Sequence, residues 1–392
     1  MERKPTMAWV LTDDLTWVLH ATARLEPTRE LRSLGWDVTL IAAGSGESLQ
    51  IRGVDVETVA LPKVYLIRQL IYHWRVLRRL WAQRDRLDIL FCQQISFVWL
   101  LPVKMWRTMT GRKRPFLVMD TRDINSADGG LKTELRVQFY SLMHKIANRF
   151  ADGQTAITPK MAQLVNIPVD KLWGIWPSGV TIETFAGAAQ KRSWPQDGES
   201  IHLMYIGRLH PERCLAPLCR AVNQANQRGM SFRLSLIGTG PDVPILNDIA
   251  AESNGQIQVI PSIDHHEVPV YLANAHIGVT SMPPVGNEKF QASSPIKLFE
   301  YLAAGLPTFS TRNACHTDVV DGQSFAFWAD DATQGDMMVG LEEIWRQREV
   351  LSQLGAAAFA AAQDWSWGAA AQKISTALLD HINLQKEPMV IS

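Results

Sequence analysis

Short β-type runs alternate with helical patterns along this chain, and they do so twice, on either side of one aperiodic stretch. That double alternation constrains the fold more than any other feature. Repeated strand–helix–strand units bury their apolar runs only as a parallel sheet with helices on both faces, an α/β architecture. In the first half the β-type runs fall near Ala8–Leu11, Val38–Ile41, Ile89–Cys92, Phe116–Met119 and Gly153–Ala156. A helix from Arg24 to Leu34 joins the first two, and Gly35 at its C′ position stops it. In the second half the runs fall near His202–Ile206, Arg233–Ile237, Ile257–Ile260, Ile277–Thr280 and Pro307–Ser310. Helical patterns cover Leu215–Gln227, Val243–Ser253, Val268–Leu272 and Pro295–Ala304, and a helical tail runs from Trp367 to Leu384. Residues 186–200 carry glycine, proline and small polar residues without periodicity, so the linker is expected there. At 392 residues the chain exceeds what one core comfortably serves. The expected division is a first domain over 1–184, a second over 200–366, and a C-terminal helix over 367–384.

Composition narrows the functional classes. The chain is 46% hydrophobic and 20% charged, which excludes a disordered polymer. Its formal net charge is zero, so no global field selects nucleic acid. Cys92, Cys214, Cys219 and Cys315 follow no zinc-ligand spacing and read as reduced structural thiols. The apolar run Met7–Leu11 ends at Asp13 and Asp14, too short for a secretory signal, and Ile95–Val103 is well short of a membrane span. A cytoplasmic protein is expected, soluble or attached to a membrane from one side.

Three segments sit where parallel strands end, the edge at which open α/β sheets bind ligands. In Gly207-Arg-Leu-His-Pro-Glu-Arg213 a glycine permits close approach, and Arg208 and Arg213 place two permanent cations beside it. Guanidinium groups match phosphate oxygens in a fork geometry. In Leu236-Ile-Gly-Thr-Gly-Pro241, Gly238 and Gly240 lie between a strand and a helix, a signal that a tight turn explains equally well. The most specific segment is Ser293-Ser-Pro-Ile-Lys-Leu-Phe-Glu-Tyr-Leu-Ala-Ala-Gly-Leu-Pro307. Ser294 is a good N-cap, Pro295 a good first helical residue and Gly305 a good stop. The helix would offer its N-terminal amides to an anion, with Lys297 and Glu300 on one face and Leu298, Phe299 and Leu302 on the other. Phosphate for the cation and ribose hydroxyls for the carboxylate is the simplest assignment.

These segments resemble the family 4 retaining glycosyltransferases of the GT-B type, in a branch common in bacterial polysaccharide synthesis. Gly207–Arg213 is similar to that family's Gly-Arg-Leu…Lys-Gly segment, and Ser294–Pro307 to its donor-binding helix. Ile237–Pro241, Val268–Ala273, Pro177–Val180 with Phe185, and Trp365-Ser-Trp367 add to the likeness. The resemblance implies two facing Rossmann-like domains with a nucleotide-sugar in the cleft between them, and a tail helix that crosses back to the first domain. It implies that Arg208 and Arg213 hold the donor diphosphate, that Lys297 reaches the phosphates, and that Glu300 binds the ribose. The sequence departs from the pattern at several places. Arg213 stands for the usual lysine and Cys214 for the usual glycine. The first of two glutamates spaced eight apart, which touches the donor sugar, is Ala292, leaving Glu288 or the backbone around Gly286 and Asn287 to stand in. The glycine-rich loop after the first strand is replaced by Leu11-Thr-Asp-Asp-Leu-Thr16.

The chemistry so implied is transfer of a sugar from a nucleotide-diphosphate donor to a glycan or lipid-linked acceptor, with no cofactor and no metal. Arg208, Arg213, Lys297 and the helix dipole would stabilise the leaving diphosphate. The departing phosphate takes the acceptor's proton. Asp120-Thr-Arg-Asp123 has the wrong spacing for a metal motif and follows the strand Phe116–Met119; the family often places a His or an Asp there against the sugar or acceptor, and the resemblance thus implies that role for Arg122 and Asp123. Between Lys63 and Arg114, twelve Lys and Arg face only Asp85 and Asp88, with Tyr65, Tyr72, Trp74, Trp81, Trp99 and Trp106 interleaved. Val64–Leu80 reads as a basic amphipathic helix of the kind that lies on anionic lipid, which suits the inner face of the cytoplasmic membrane. Two other readings fit the scaffold: a nucleotide-sugar epimerase, and a non-catalytic homologue that binds a partner.

Overall fold

The computed structural model describes residues 3–16, 21–61, 64–124 and 131–384. The chain forms two compact units. The first takes residues up to Ser178 and, again, those from Trp367 onward; the second runs from Gly179 to Ser366.

The first unit carries strands β1 (Thr6–Asp14), β2 (Asp37–Gly44), β3 (Ser48–Ile51), β4 (Val54–Ala60), β5 (Ile89–Cys92), β6 (Phe116–Thr121), β7 (Gly153–Ala156) and β8 (Leu172–Ile175). Its helices are α1 (Thr22–Ser33), α2 (Tyr65–Gln83), α3 (Gln94–Met109), α4 (Leu131–Phe150) and α5 (Pro159–Leu164). The sheet order is β3-β4-β2-β1-β5-β6-β7-β8, parallel except for the β3–β4 hairpin. β5 and β6 are buried along their whole length and β1 over Met7–Leu11, as central parallel strands with two covered faces must be.

The second unit opens with α6 (Ile182–Lys191) and carries β9 (Ile201–Ile206), β10 (Phe232–Ile237), β11 (Ile257–Ile260), β12 (Ile277–Thr280), β13 (Thr308–Thr311) and β14 (Ala326–Ala329). Its other helices are α7 (Leu215–Gln227), α8 (Val243–Ala251), α9 (Val268–Ala273), α10 (Glu288–Gln291), α11 (Ile296–Ala303), α12 (Ala314–Val320), α13 (Gln334–Arg346) and α14 (Leu351–Ala361). The order β11-β10-β9-β12-β13-β14 is wholly parallel and reverses direction between β9 and β12. That reversal opens a crevice at the carboxyl ends of those two strands.

The tail helix α15 (Trp367–Leu384) returns to the first unit, as the resemblance implies. Its Ala371, Ile374, Leu378 and Ile382 are at most 2% exposed and pack with Trp9, Leu25, Leu31 and Trp36. Burying aliphatic side chains of this size stabilises by about 1.5–3 kcal/mol each. Trp36 Nε1 donates to Ser375 Oγ at 2.8 Å, so the indole is buried without an orphaned donor.

The unit boundary differs from the expected one. Residues 186–192 are not a free linker. Helix α6 packs on α9 and α11, and Phe185 is 2% exposed. Arg192 then donates to three backbone oxygens, Ala275 at 2.6 Å, Gly305 at 2.9 Å and Leu272 at 2.8 Å. The small residues that hid the helical period are what let the helix sit close: a Cβ on Gly305 would meet that of Ala189 at 2.9 Å.

Candidate functional site

The carboxyl ends of β9, β10 and β12 build the site in the second unit. Beyond β9 the chain stays paired with the segment after β10: Gly207 N donates to Ile237 O and Leu209 N to Thr239 O, both at 2.9 Å. The two backbones run so close that a Cβ on Gly238 would lie 1.8 Å from Gly207 O, and one on Gly240 1.8 Å from Leu209 O. The two glycines predicted as ligand contacts thus have a packing reason of their own, which is to fix the 207–209 loop.

Helix α11 faces that loop. Lys297 Nζ lies 3.9 Å from the centroid of the Tyr205 ring, a cation–π contact. A Cβ on Gly207, whose φ is +146°, would stand 2.6 Å from the same ammonium. Glycine is therefore favoured here by conformation, and a Cβ would displace the lysine lying over it. Burial, and then the charge of Arg213, push the Lys297 ammonium down to about 7, against the opposing pull of Glu300 and Cys315. Lys297 and Glu300, placed on one face by their spacing, form no ion pair with each other. Glu300 Oε1 instead meets His265 Nε2 at 2.8 Å. Ser294 is also not the N-cap: that position is Pro295, with no side-chain cap bond.

Arg213 ends a short 3-10 turn, Pro211–Arg213, and its guanidinium lies 4.5 Å from the Phe290 ring centroid with Nη1 2.6 Å from Met282 Sδ. Cys214, next in the chain, holds φ +48° and ψ +40°, the left-handed conformation that a glycine adopts at lower cost. Arg208 is exposed, and its backbone oxygen accepts from Tyr205 Oη at 2.9 Å. Among the described residues no carboxylate pairs with Arg208, Arg213 or Lys297. Three cations kept free of internal counter-ions mark a place for an external anion.

A cavity of about 340 Å³ lies here, lined by Arg213, Lys297 and the Ser293–Ile296 segment that opens α11. Three further lining residues escaped sequence reasoning. Lys289, on α10, adds a third cation to the lining. Ser281 is 2% exposed, and its Oγ has no partner among the described residues. His316, on α12, is fully buried, with Nδ1 2.8 Å from Thr311 O and Nε2 unpartnered. None carries a motif; each follows a strand of the reversing sheet, and only the strand order brings them together. Ala292 is fully buried, and Glu288, expected to replace the missing carboxylate, is exposed and outside the lining. Asn287 Nδ2 donates to Glu212 Oε1 at 3.3 Å.

In the first unit Arg122 is a strut rather than an open contact. Its side chain is 6% exposed, lies 3.9 Å over the Trp176 ring, and donates to Trp176 O and Ser178 Oγ at 3.3 Å each. Asp120, 4.0 Å away, accepts from Thr155 Oγ1 at 2.7 Å and Trp176 Nε1 at 2.9 Å. Burial pushes the Arg122 guanidinium down to about 9 despite the pull of Asp120. Asp123 is exposed, and its Oδ1 accepts from Ile124 N at 2.9 Å.

The basic-aromatic segment is less charged in space than in sequence. Asp152 takes Lys104 at 2.6 Å and Arg107 at 2.8 Å, Glu57 takes Arg79 at 2.6 Å, and Arg112 and Arg114 pair with Asp85 and Asp88. Lys63 lies outside the described residues. Helix α2 exposes apolar side chains, Ile67 at 47%, Leu70 at 53%, Trp74 at 56% and Trp81 at 37%, together with Arg75, Arg78 and Arg79. Among the described residues no helix is long and apolar enough to cross a membrane. One exposed trio, Asp264, His266 and Glu267, has metal-ligand proximity, but Asp264 and Glu267 already form a capping box.

Comparison with known proteins agrees with this architecture. The family described as "Glycosyl transferases group 1" matches residues 200–343, and the "Glycosyl transferase 4-like domain" matches residues 21–168, well over half the chain between them. No curated protein matches the chain. Solved structures with a similar fold include sucrose-phosphate synthase from Thermosynechococcus elongatus, at TM-score 0.70 and 14% identity, over 98% of this chain and 100% of that one. Another is HepE of Anabaena in complex with UDP, at TM-score 0.67 and 14% identity, over 96% and 100%. A third is the catalytic domain of starch synthase IV from Arabidopsis thaliana bound to ADP and acarbose, at TM-score 0.68 and 12% identity, over 97% and 99%. With two parallel-sheet units of the GT-B type and both family domains in place, the chain belongs to the family 4-type glycosyltransferases.

Proposed function

We propose that this chain is a retaining glycosyltransferase that moves a sugar from a nucleoside-diphosphate donor, bound in the second unit, to a glycan or lipid-linked acceptor taken up by the first. One observation carries the reading. Lys297 Nζ, paired with no carboxylate, lies against Gly207 and Tyr205 at the reversal of the sheet, on the same cavity as Arg213. A diphosphate placed there meets Lys297, Arg213 and the amino end of α11, with Arg208 available from the adjoining loop. Glu300, oriented by His265, is the acceptor for ribose hydroxyls. As the glycosidic bond to the diphosphate breaks, negative charge grows on the leaving oxygen while the sugar becomes oxocarbenium-like. Fixed cations then stabilise the transition state more than the ground state, and loss of one such group costs about 10²–10³ in rate. These groups supply the charge that a divalent metal supplies elsewhere, so the reading calls for neither metal nor cofactor. The departing phosphate accepts the acceptor hydroxyl's proton, and Arg122 acts by holding the β6 edge through Trp176.

The cell-side setting belongs to the same reading: surface polysaccharide synthesis at the inner face of the cytoplasmic membrane, with α2 lying on anionic lipid. Support comes from the apolar face of Ile67, Leu70, Trp74 and Trp81 beside Arg78, whose guanidinium lies 5.7 Å over Trp74. Flotation with phosphatidylglycerol vesicles tests it: paired Trp74→Ser and Trp81→Ser should abolish binding, and unaltered flotation would reject it.

The activity test is a panel of nucleotide-sugars, with and without membrane extract, scored by released nucleoside diphosphate. The account expects acceptor-dependent release that Lys297→Ala abolishes. Donor conversion without acceptor and without release would indicate an epimerase, and binding without turnover a non-catalytic homologue.

A further inference from the structure

The cavity beside Lys297 holds two kinds of polar group, and the diphosphate reading uses only one. Arg213 and Lys297 are cations. His316 Nε2 and Ser281 Oγ are neutral, buried, and without a hydrogen-bond partner among the described residues. Buried polar atoms are almost always satisfied, and leaving one bare costs the full desolvation penalty. Two residues of one cavity lining, each with such an atom, point to a ligand that completes them.

Chemistry fixes what His316 can offer. The backbone oxygen of Thr311 only accepts, so Nδ1, 2.8 Å away, carries the imidazole hydrogen. Burial, with Lys297 and Arg213 facing the ring, holds the imidazole far below its ordinary titration range, at about 4, so it stays neutral. Nε2 is then a lone-pair acceptor. It cannot bind the diphosphate of a nucleotide-sugar, whose oxygens at neutral pH are acceptors only. It can accept a hydrogen from a hydroxyl. Ser281 Oγ, on the same cavity lining, can donate or accept. Both follow parallel strands, Ser281 after β12 and His316 after β13, so the sheet fixes them rather than a loose loop. The position at which related sequences carry a sugar-contacting carboxylate is a buried alanine, Ala292, and Glu288 is exposed.

We propose that His316 Nε2, assisted by Ser281 Oγ, is the seat for a hydroxyl of the transferred sugar, in place of the absent carboxylate. This rests on the nucleotide-sugar reading of the same cavity. A neutral acceptor has one consequence that a carboxylate lacks: it leaves the charge of Arg213 and Lys297 intact for the diphosphate.

The test is calorimetric titration of the full chain with UDP, ADP and GDP, and with UDP-glucose, ADP-glucose and GDP-mannose. His316→Phe should weaken the sugar conjugate about tenfold while leaving the free nucleotide within about twofold. His316→Gln, whose amide oxygen accepts, should restore most of the loss. Equal weakening of conjugate and free nucleotide would overturn the proposal, as would no weakening of either, or a wild type that binds the nucleotide but none of the conjugates. Failure of the wild type to bind any of the six would overturn the donor reading itself. Nitrogen-15 NMR of histidine-labelled wild type gives an answer that needs no variant. The Nε2 resonance of His316 should move on adding the conjugate and not on adding the nucleotide, and an unmoved or equally moved resonance contradicts the assignment.

Discussion

The depressed ammonium of Lys297 makes nucleotide binding a proton-linked event. Burial and Arg213 hold it at about 7 in the free protein, against an ordinary 10.5. A diphosphate beside it replaces lost hydration with opposite charge and so raises it again. Between these values the complex holds one more proton than the separated partners. Affinity should therefore fall as pH rises, by about tenfold per pH unit above 7, with uptake of about one proton per site near pH 8.5. The neighbours do not compete in this window, since Tyr205 and Cys315 are pushed up to about 12 by burial and His316 down to about 4. Working above pH 7.5 also avoids the nucleotide's own terminal phosphate, which titrates near ~6. Calorimetry of the nucleoside diphosphate in buffers of different ionisation enthalpy reads the proton count directly. Lys297→Arg should bind without uptake. No uptake by the wild type at pH 8.5, with affinity flat from pH 7.5 to 9, would refute the reasoning. The same linkage fixes a stability sign. The folded chain binds fewer protons than the unfolded one between about 7 and 10.5, so this residue's contribution to stability rises with pH across that interval and its cost is full below it.

Three further outcomes follow from packing. Gly238→Ala sets a methyl 1.8 Å from Gly207 O, a backbone atom fixed by its own strand pairing, and should cost about 3 kcal/mol or more; an unchanged thermal midpoint would contradict the close approach. Cys214→Gly should stabilise, since roughly 1–2 kcal/mol of left-handed strain at φ +48° exceeds the ~0.5–1 kcal/mol of added chain entropy; a lower midpoint would show that the thiol's packing dominates. Asp152→Asn should destabilise the first unit by about 2–3 kcal/mol in denaturant melts, somewhat less than a fully buried pair because Lys104 is 21% exposed. That substitution leaves Arg107, 11% exposed, without its charge partner.

Much of the fold was legible because a parallel sheet buried on both faces writes its strands as continuous apolar runs. β5, β7, β11 and β12 fall where the pattern placed them, residue for residue, as do α7 and α15. The strands that escaped notice lie toward sheet edges or alternate with polar residues. Those of the β3–β4 hairpin are joined at Arg52 and Gly53, both at positive φ, a turn that an Arg-Gly pair does not announce. Cations of the site were readable too, since Arg208, Arg213 and Lys297 stand in motifs. What sequence could not reveal was partnership. Glu300 lies three residues from Lys297 and pairs with His265, thirty-five residues away, because helix α11 turns its lysine toward Tyr205. Arg122 sits in a promising loop and is consumed by Trp176. The basic segment of α2 and α3 lost much of its apparent charge to Glu57 and Asp152, acids outside the window that was read. His316 and Ser281 belong to no pattern, and only the strand order assembles them.

The central claim is that free positive groups of the second unit converge on one diphosphate. A crystal structure of the chain with its nucleoside diphosphate measures this directly. The account predicts diphosphate oxygens within hydrogen-bonding distance of Lys297 Nζ and of a guanidinium from Arg208 or Arg213. A diphosphate bound elsewhere, with Lys297 still resting on Tyr205 and untouched by ligand, would contradict it.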